Sequence, residues 1–291
     1  MFTFWASIIA ALIALIAQIM VLRLQKKVKK SEEIAKIKDR YSNPLLKASE
    51  ELYNKINDVI KNRNNEFPLK AFENLSSYQM NIKTTIEIIE STRKIYLSQF
   101  IYLFARFFGA IELIKKEIGF MKLASDEETR KFHNCLKRAV AVLYSGRLLT
   151  GYKIKEDKEK NMKYHGRIID GAQVLIGEAM ISSNCNSYEI ISFSEFCNKF
   201  VEDEKFRKTL LPITRLIEDL EENVLEDTNI ENVDFRWTKL VIFSSYLRNL
   251  IINIDSESVV KLLPETEEYE NSIIKNNEQI LKNIKSFEHG H

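Results

Sequence analysis

The chain has 291 residues, 45% of them hydrophobic and 29% charged, with a formal net charge of +2. The near-balance hides an asymmetry: residues 23–40 hold eight basic and three acidic side chains, and the rest carries 35 basic against 38 acidic. A slightly acidic body is a poor attractor for nucleic acid, whose binding leans on clustered Lys and Arg, so no nucleic-acid partner is expected.

Met1 to Leu22 carry no charge and read almost continuously apolar. At the helical rise, that length spans roughly 30 Å, the thickness of a bilayer's hydrocarbon core. Trp5 lies near one end, where an indole favours the headgroup region, and Gln18 near the other. No basic residue precedes the run, whereas Arg23, Lys26, Lys27, Lys29 and Lys30 follow it. The positive-inside rule then puts the N-terminus outside and everything from residue 23 in the cytoplasm, with those five charges at the anionic membrane surface. Two other readings compete. A cleaved signal peptide wants a basic leader, a shorter apolar core and a small-x-small site. A buried soluble helix is opposed by 22 uncharged residues at the terminus.

After a basic stalk over 23–40, Asn43 caps and Pro44 opens a helix within SNPLLKASEELYNKINDVI, whose Leu45, Ala48, Leu52, Ile56, Val59 and Ile60 recur at three and four. KNRNNEFP is a polar loop. The second helical region, 68–120, has its core in 95–121, dense in aromatics: Tyr96, Phe100, Tyr102, Phe104, Phe107, Phe108 and Phe120. A buried central helix is preferred to a second membrane pass, because the uncharged run Ile95–Ala105 is too short to span and Arg106 is costly in lipid. An exposed side of it would make an interaction groove or membrane-facing surface.

An amphipathic helix follows over 126–150, then the exposed loop KIKEDKEKN. The next helix, 166–181, tolerates Gly166, Gly171 and Gly177 through close packing. Ser192 or Ser194 caps SFSEFCNKFV, Pro212 starts PITRLIEDLEENVLED, and residues 235–254 form a closing core helix. The tail from Pro264 contains a weaker helix that docks or projects. No sustained period-two alternation appears, so no large sheet is expected. The fold class is all-α: a single N-terminal transmembrane helix (1–22), the stalk (23–40), an irregular multi-helix bundle forming the cytoplasmic domain (41–262), and a C-terminal helix and tail (263–291).

Catalytic signatures are missing: no glycine-rich phosphate loop, no GxSxG elbow, no HExxH. Cys135, Cys185 and Cys197 are odd in number and widely spaced, which suggests free thiols and no disulfide framework. His133 and Cys135, two apart, do not share a helix face. His133 or His165 with a cysteine is the residual dyad or metal pair; His289 and His291 fall in the tail. Glu112 and Glu117 flank a hydrophobic helix and Glu178 lies inside an apolar one, without the paired Glu-x-x-His pattern of carboxylate metal sites, so no metal and no cofactor is expected. Glu178 suits an ion pair with Arg106 or Arg167. Arg106, Glu112 and Glu178 are therefore the candidate buried polar or functional cluster. Glu218 to Asp234 hold eight acidic and no basic side chains, a solvated face or a docking surface for a basic partner.

Three segments carry a resemblance: Asn43-Pro44-Leu45-Leu46; Phe108-Gly109 with Glu112; and Gln173, Ile176, Gly177 and Glu178. Together they resemble a family of uncharacterised bacterial proteins with one N-terminal membrane helix and a helical cytoplasmic domain, over roughly residues 1–260. The resemblance implies the anchor and the helical body and no activity. The sequence thus reads as a membrane-anchored cytoplasmic interaction or regulatory protein of the bacterial inner membrane. It touches lipid through residues 1–30 and has a protein partner or self-associates. The alternatives are a structural subunit of an inner-membrane complex, or an enzyme built around Arg106, Glu112 and Glu178.

Overall fold

The computed structural model describes residues 18, 20–29, 32, 43–61, 82–118, 126–154, 165–184, 187–218, 220, 234–255, 264–274 and 277–289. Most of the apolar N-terminal segment lies outside these, as do Lys30 and most of the stalk, the KNRNNEFP loop beyond Lys61, and Phe120. So do residues 155–164, Cys185, most of the acidic run and His291. The chain divides into two units, Met1–Asn43 and Pro44–His291. In the first, residues 20–29 are helical, and Met20, Val21, Leu22, Leu24 and Val28 are exposed along them.

The second unit is mostly helical. Helix α1 (Asn43–Lys61) buries Leu45, Ala48, Leu52, Ile56, Val59 and Ile60, the face its spacing predicts. Helix α2 (Ile82–Ile118) is longer than its apolar core, and from Phe100 to Ile114 its side chains are buried apart from the partly exposed Arg106. Among the described residues, Ile95–Lys116 is the helix long and apolar enough to cross a membrane, and 72% of its most apolar 18-residue stretch is buried inside the structure. The aromatics of 100–108 are thus core. Phe104 stacks on Phe243 with ring centroids 5.7 Å apart, and Phe107 meets the same ring edge-on at 6.0 Å.

Helix α3 (Asp126–Tyr144) is followed by a 3-10 turn at Arg147–Leu149, so the helix expected to reach residue 150 stops earlier. Helix α4 (Asp170–Ala179) is shorter than the expected 166–181. Gly166 takes a left-handed φ of +56°, which breaks the helical path, and the Ile168 N–H donates to the Leu143 carbonyl at 2.9 Å. After α4 comes an element the sequence does not announce, an antiparallel hairpin of β1 (Ile181–Asn184) and β2 (Ser187–Ile190), with Ile181 opposite Ile190. Four-residue strands rich in Ser and Asn offer too little alternation to read.

Helix α5 (Phe193–Glu202) starts at Ser192, whose hydroxyl accepts the Glu195 N–H. Helix α6 (Glu204–Ile217) corrects another expectation, since Pro212 sits inside it and does not open it. Asp203 caps the true start, accepting the N–H groups of Lys205 and Phe206 at 2.8 and 3.0 Å. An internal proline costs about 3 kcal/mol; the burial of Phe206, Leu210, Ile213, Leu216 and Ile217 offsets it.

Helix α7 (Arg236–Ile254) is buried nearly all round and packs against α3 and against α8 (Pro264–Ile274). Ser244 on α7 donates to Asn57 of α1 at 3.3 Å. Helix α9 (Glu278–His289) docks: Asn283 donates to the carbonyls of Leu148 and Thr150, Phe287 is buried, and Tyr246 donates to Glu288 at 2.9 Å. The amphipathic tail therefore completes this unit.

Candidate functional site

Helices α2, α3 and α4 each present one stripe at helical spacing to a shared cleft of about 230 Å³. From α2 come Phe108, Ile111, Glu112 and Lys115; from α3, His133, Leu136, Lys137 and Val140; from α4, Asp170, Gln173 and Val174. Residues at i, i+3, i+4 and i+7 share a helix face, which is why three separate stretches converge here. Apolar side chains make the floor, and both signs of charge lie among the polar ones. Lys115 donates to Glu112 at 2.6 Å, and that pair holds the carboxylate in a buried position.

Two features fix the geometry. The buried Gln173 amide donates to the carbonyls of Ile168 at 2.8 Å and Val140 at 3.2 Å, tying α4 to α3 and to the segment before it. The α2–α4 crossing is set by glycines. A Cβ on Gly177 would stand 2.6 Å from Glu112 Cγ and 2.7 Å from the Phe108 carbonyl oxygen, and one on Gly109 would stand 2.9 Å from Met180 Cβ. Of the three glycines expected to serve close packing, Gly177 does so between helices, Gly166 lies ahead of the helix, and Gly171 has nothing within 4 Å.

The other residues singled out in the sequence are placed as follows. Arg106 pairs with Glu51 of α1 and lies over the Tyr102 ring at 6.0 Å. Glu112 lines the cleft. Glu178 is 47% exposed at its side chain and reaches Lys116 at 3.9 Å, so its partner is neither Arg106 nor Arg167; Arg167 donates to the Tyr144 carbonyl. Each of the three cluster residues thus holds a different partner. Arg23, Lys26, Lys27 and Lys29 are exposed on the 20–29 helix. His133 faces the cleft, while Cys135 accepts from Asn253 at 3.4 Å. Burial pushes the thiols of Cys135 and Cys197 up from their ordinary range. His165 is held below its usual range by burial and by the nearby Lys239 and Arg167. Among the described residues no group of three or more His, Cys, Asp or Glu could hold a metal ion.

Sequence reasoning on the residues alone did not find Lys115, Lys137 and Asp170 as cleft residues, because the signal is spatial, one stripe on each of three helices. It also passed over Lys239, which stands one turn after Arg236 and directly before the apolar run Leu240–Phe243 of the closing core helix. Among the described residues no serine, threonine or cysteine lines the cleft; its ionisable groups are Glu112, Lys115, His133, Lys137 and Asp170. Its apolar floor and mixed polar rim suit recognition of a small polar solute or an inserted side chain.

The described residues thus form a mostly helical fold with a small hairpin and a three-helix cleft. No family model, curated protein or solved structure matches the chain.

Proposed function

We propose that this is a membrane-anchored interaction or regulatory protein. It makes a single pass through a bacterial inner membrane, with its N-terminus outside and its helical body working in the cytoplasm by binding. The observation that carries the anchor is at residues 20–24. Met20, Val21, Leu22 and Leu24 are between 50 and 62% exposed on a helix that also bears Arg23, Lys26, Lys27 and Lys29. Exposed apolar side chains that continue an uncharged run and meet a basic cluster suit a helix leaving a bilayer. The burial of Ile95–Lys116 supports the same reading, because that helix is already committed to the body's core.

Binding is favoured over catalysis by the separate pairing of Arg106, Glu112 and Glu178, which do not come together as one cluster. Anchoring raises the body's effective concentration for a partner at the same surface. The test is capture of the full-length chain from mild-detergent membranes beside a version beginning at residue 31. A stoichiometric protein partner lost with the anchor supports the reading. Recovery of both versions alone and monomeric contradicts it.

A further inference from the structure

Gln173 is only 5% exposed, and both hydrogens of its Nε2 are spent on backbone carbonyls, of Ile168 at 2.8 Å and Val140 at 3.2 Å. Two carbonyl acceptors fix which end of the amide is nitrogen. Oε1 is therefore the atom Gln173 has left for the cleft it lines, and no described residue donates to it. Asp170 stands three residues earlier on the same face of α4 and lines the same cleft. It is the first residue of the helix, where the helix dipole favours its carboxylate as the anion. The α4 wall thus holds two unused side-chain acceptors, one of them charged.

The α3 wall is the complement. Lys137 is exposed and lines the cleft, and it shares its helix face with Val140, whose carbonyl takes the Gln173 amide. One hydrogen bond therefore sets the spacing of the accepting and donating walls. Neither Lys137 nor Asp170 has an ion-pair partner among the described residues, so opposite charges line one cleft without joining each other. The α2 wall adds no net charge, since Lys115 and Glu112 satisfy each other at 2.6 Å. His133, one turn before Lys137, is the remaining polar lining residue. Phe108, Ile111, Leu136, Val140 and Val174 supply the apolar surface.

A ligand with a single charge would be attracted by one wall and repelled by the other. A small molecule carrying both charges on an apolar body meets every group. The volume, about 230 Å³, also suits a ligand smaller than those of drug-sized sites, which run to roughly 300–1,000 Å³. We propose that the cleft binds a small zwitterion with an aliphatic side chain, of the free α-amino-acid class, a specificity that rests on the body working by binding. Lys137 meets the carboxylate, Asp170 and Gln173 Oε1 meet the ammonium, and the apolar surface takes the side chain.

Calorimetric titration of the full chain in detergent micelles, blanked against empty micelles, tests this with L-leucine and two analogues that each lack one charge, 3-methylbutylamine and 4-methylpentanoate. Leucine should bind, and each analogue should bind at least about tenfold more weakly, the loss of one charge-assisted hydrogen bond. Lys137→Met should weaken leucine about tenfold and the amine not at all; Asp170→Asn should weaken leucine about tenfold and 4-methylpentanoate not at all. Both residues are exposed, so the variants keep the fold. An analogue that binds as tightly as leucine overturns the proposal, as do variants that leave leucine binding intact. So does the absence of binding by leucine, isoleucine, valine and methionine at millimolar concentration. A protein partner captured by a chain that binds none of these sinks the ligand class and leaves the binding role standing. Leucine binding by a chain recovered alone supports the ligand class and contradicts the protein partner.

Discussion

Gly177 lies so close to Glu112 that a methyl group on its Cα would stand 2.6 Å from the carboxylate side chain's Cγ. The contact joins two helices more than sixty residues apart in sequence and puts a buried acid beside a residue that has no side chain to displace it. The backbone oxygen of Phe108 is equally near, at 2.7 Å, and backbone cannot swing aside.

Gly177→Ala should therefore destabilise the protein even though alanine is the better helix former. Overpacking of this kind costs about 1–3 kcal/mol, more than the roughly 1 kcal/mol gained from propensity. Gly171→Ala is the control: it has open space around it and should be neutral or slightly stabilising. Urea unfolding of both variants checks the pair, and equal effects would remove the close approach as the cause.

Asp234→Ala should be among the most damaging single changes. Its carboxylate is the counter-charge of Arg236, and both side chains are buried, at 8 and 1% exposure. Removing one partner of such a pair strands the other charge, a loss of about 3–5 kcal/mol. Adding Arg236→Met to that variant should recover part of the loss, because the stranded cation goes with it. A double-mutant cycle by chemical denaturation reads the coupling.

Asp203→Ala should cost about 1 kcal/mol through the loss of two N–H acceptors at the start of α6. Asp203→Asn should retain most of the stability, since the amide oxygen still accepts. Thermal melting of the two variants distinguishes capping from simple loss of charge.

Helix faces were the legible part of this chain. Leu45 through Ile60 advertised α1 by spacing alone, residues 235–254 gave α7 to within one residue, and Ser192, one of two serines the sequence offered, caps α5. Two kinds of feature escaped. The first is local and weakly patterned: the Ile181–Ile190 hairpin has strands too short and polar to alternate, and Pro212 looked like a helix start because the stronger signal, Asp203, stood nine residues earlier. The second is spatial. The cleft exists because α2, α3 and α4 meet, and Gln173 gains its role only from the carbonyls of Val140 and Ile168. Glu178 looked buried by its apolar neighbours, yet its side chain projects outward to Lys116. Arg106 was expected near the other carboxylates and found Glu51 on α1, a partner no spacing rule within one helix could suggest.

Tethering of the body to the inner face of the membrane is tested most directly by trypsin digestion of membrane vesicles after an alkaline carbonate wash. Arg23, Lys26, Lys27 and Lys29 offer cleavage sites just beyond the apolar run. The chain should stay with the membrane through the wash, and trypsin should release the body from inside-out vesicles while sparing it in right-side-out ones. Release by carbonate alone, or cleavage only in right-side-out vesicles, would contradict the single-pass, body-inside arrangement.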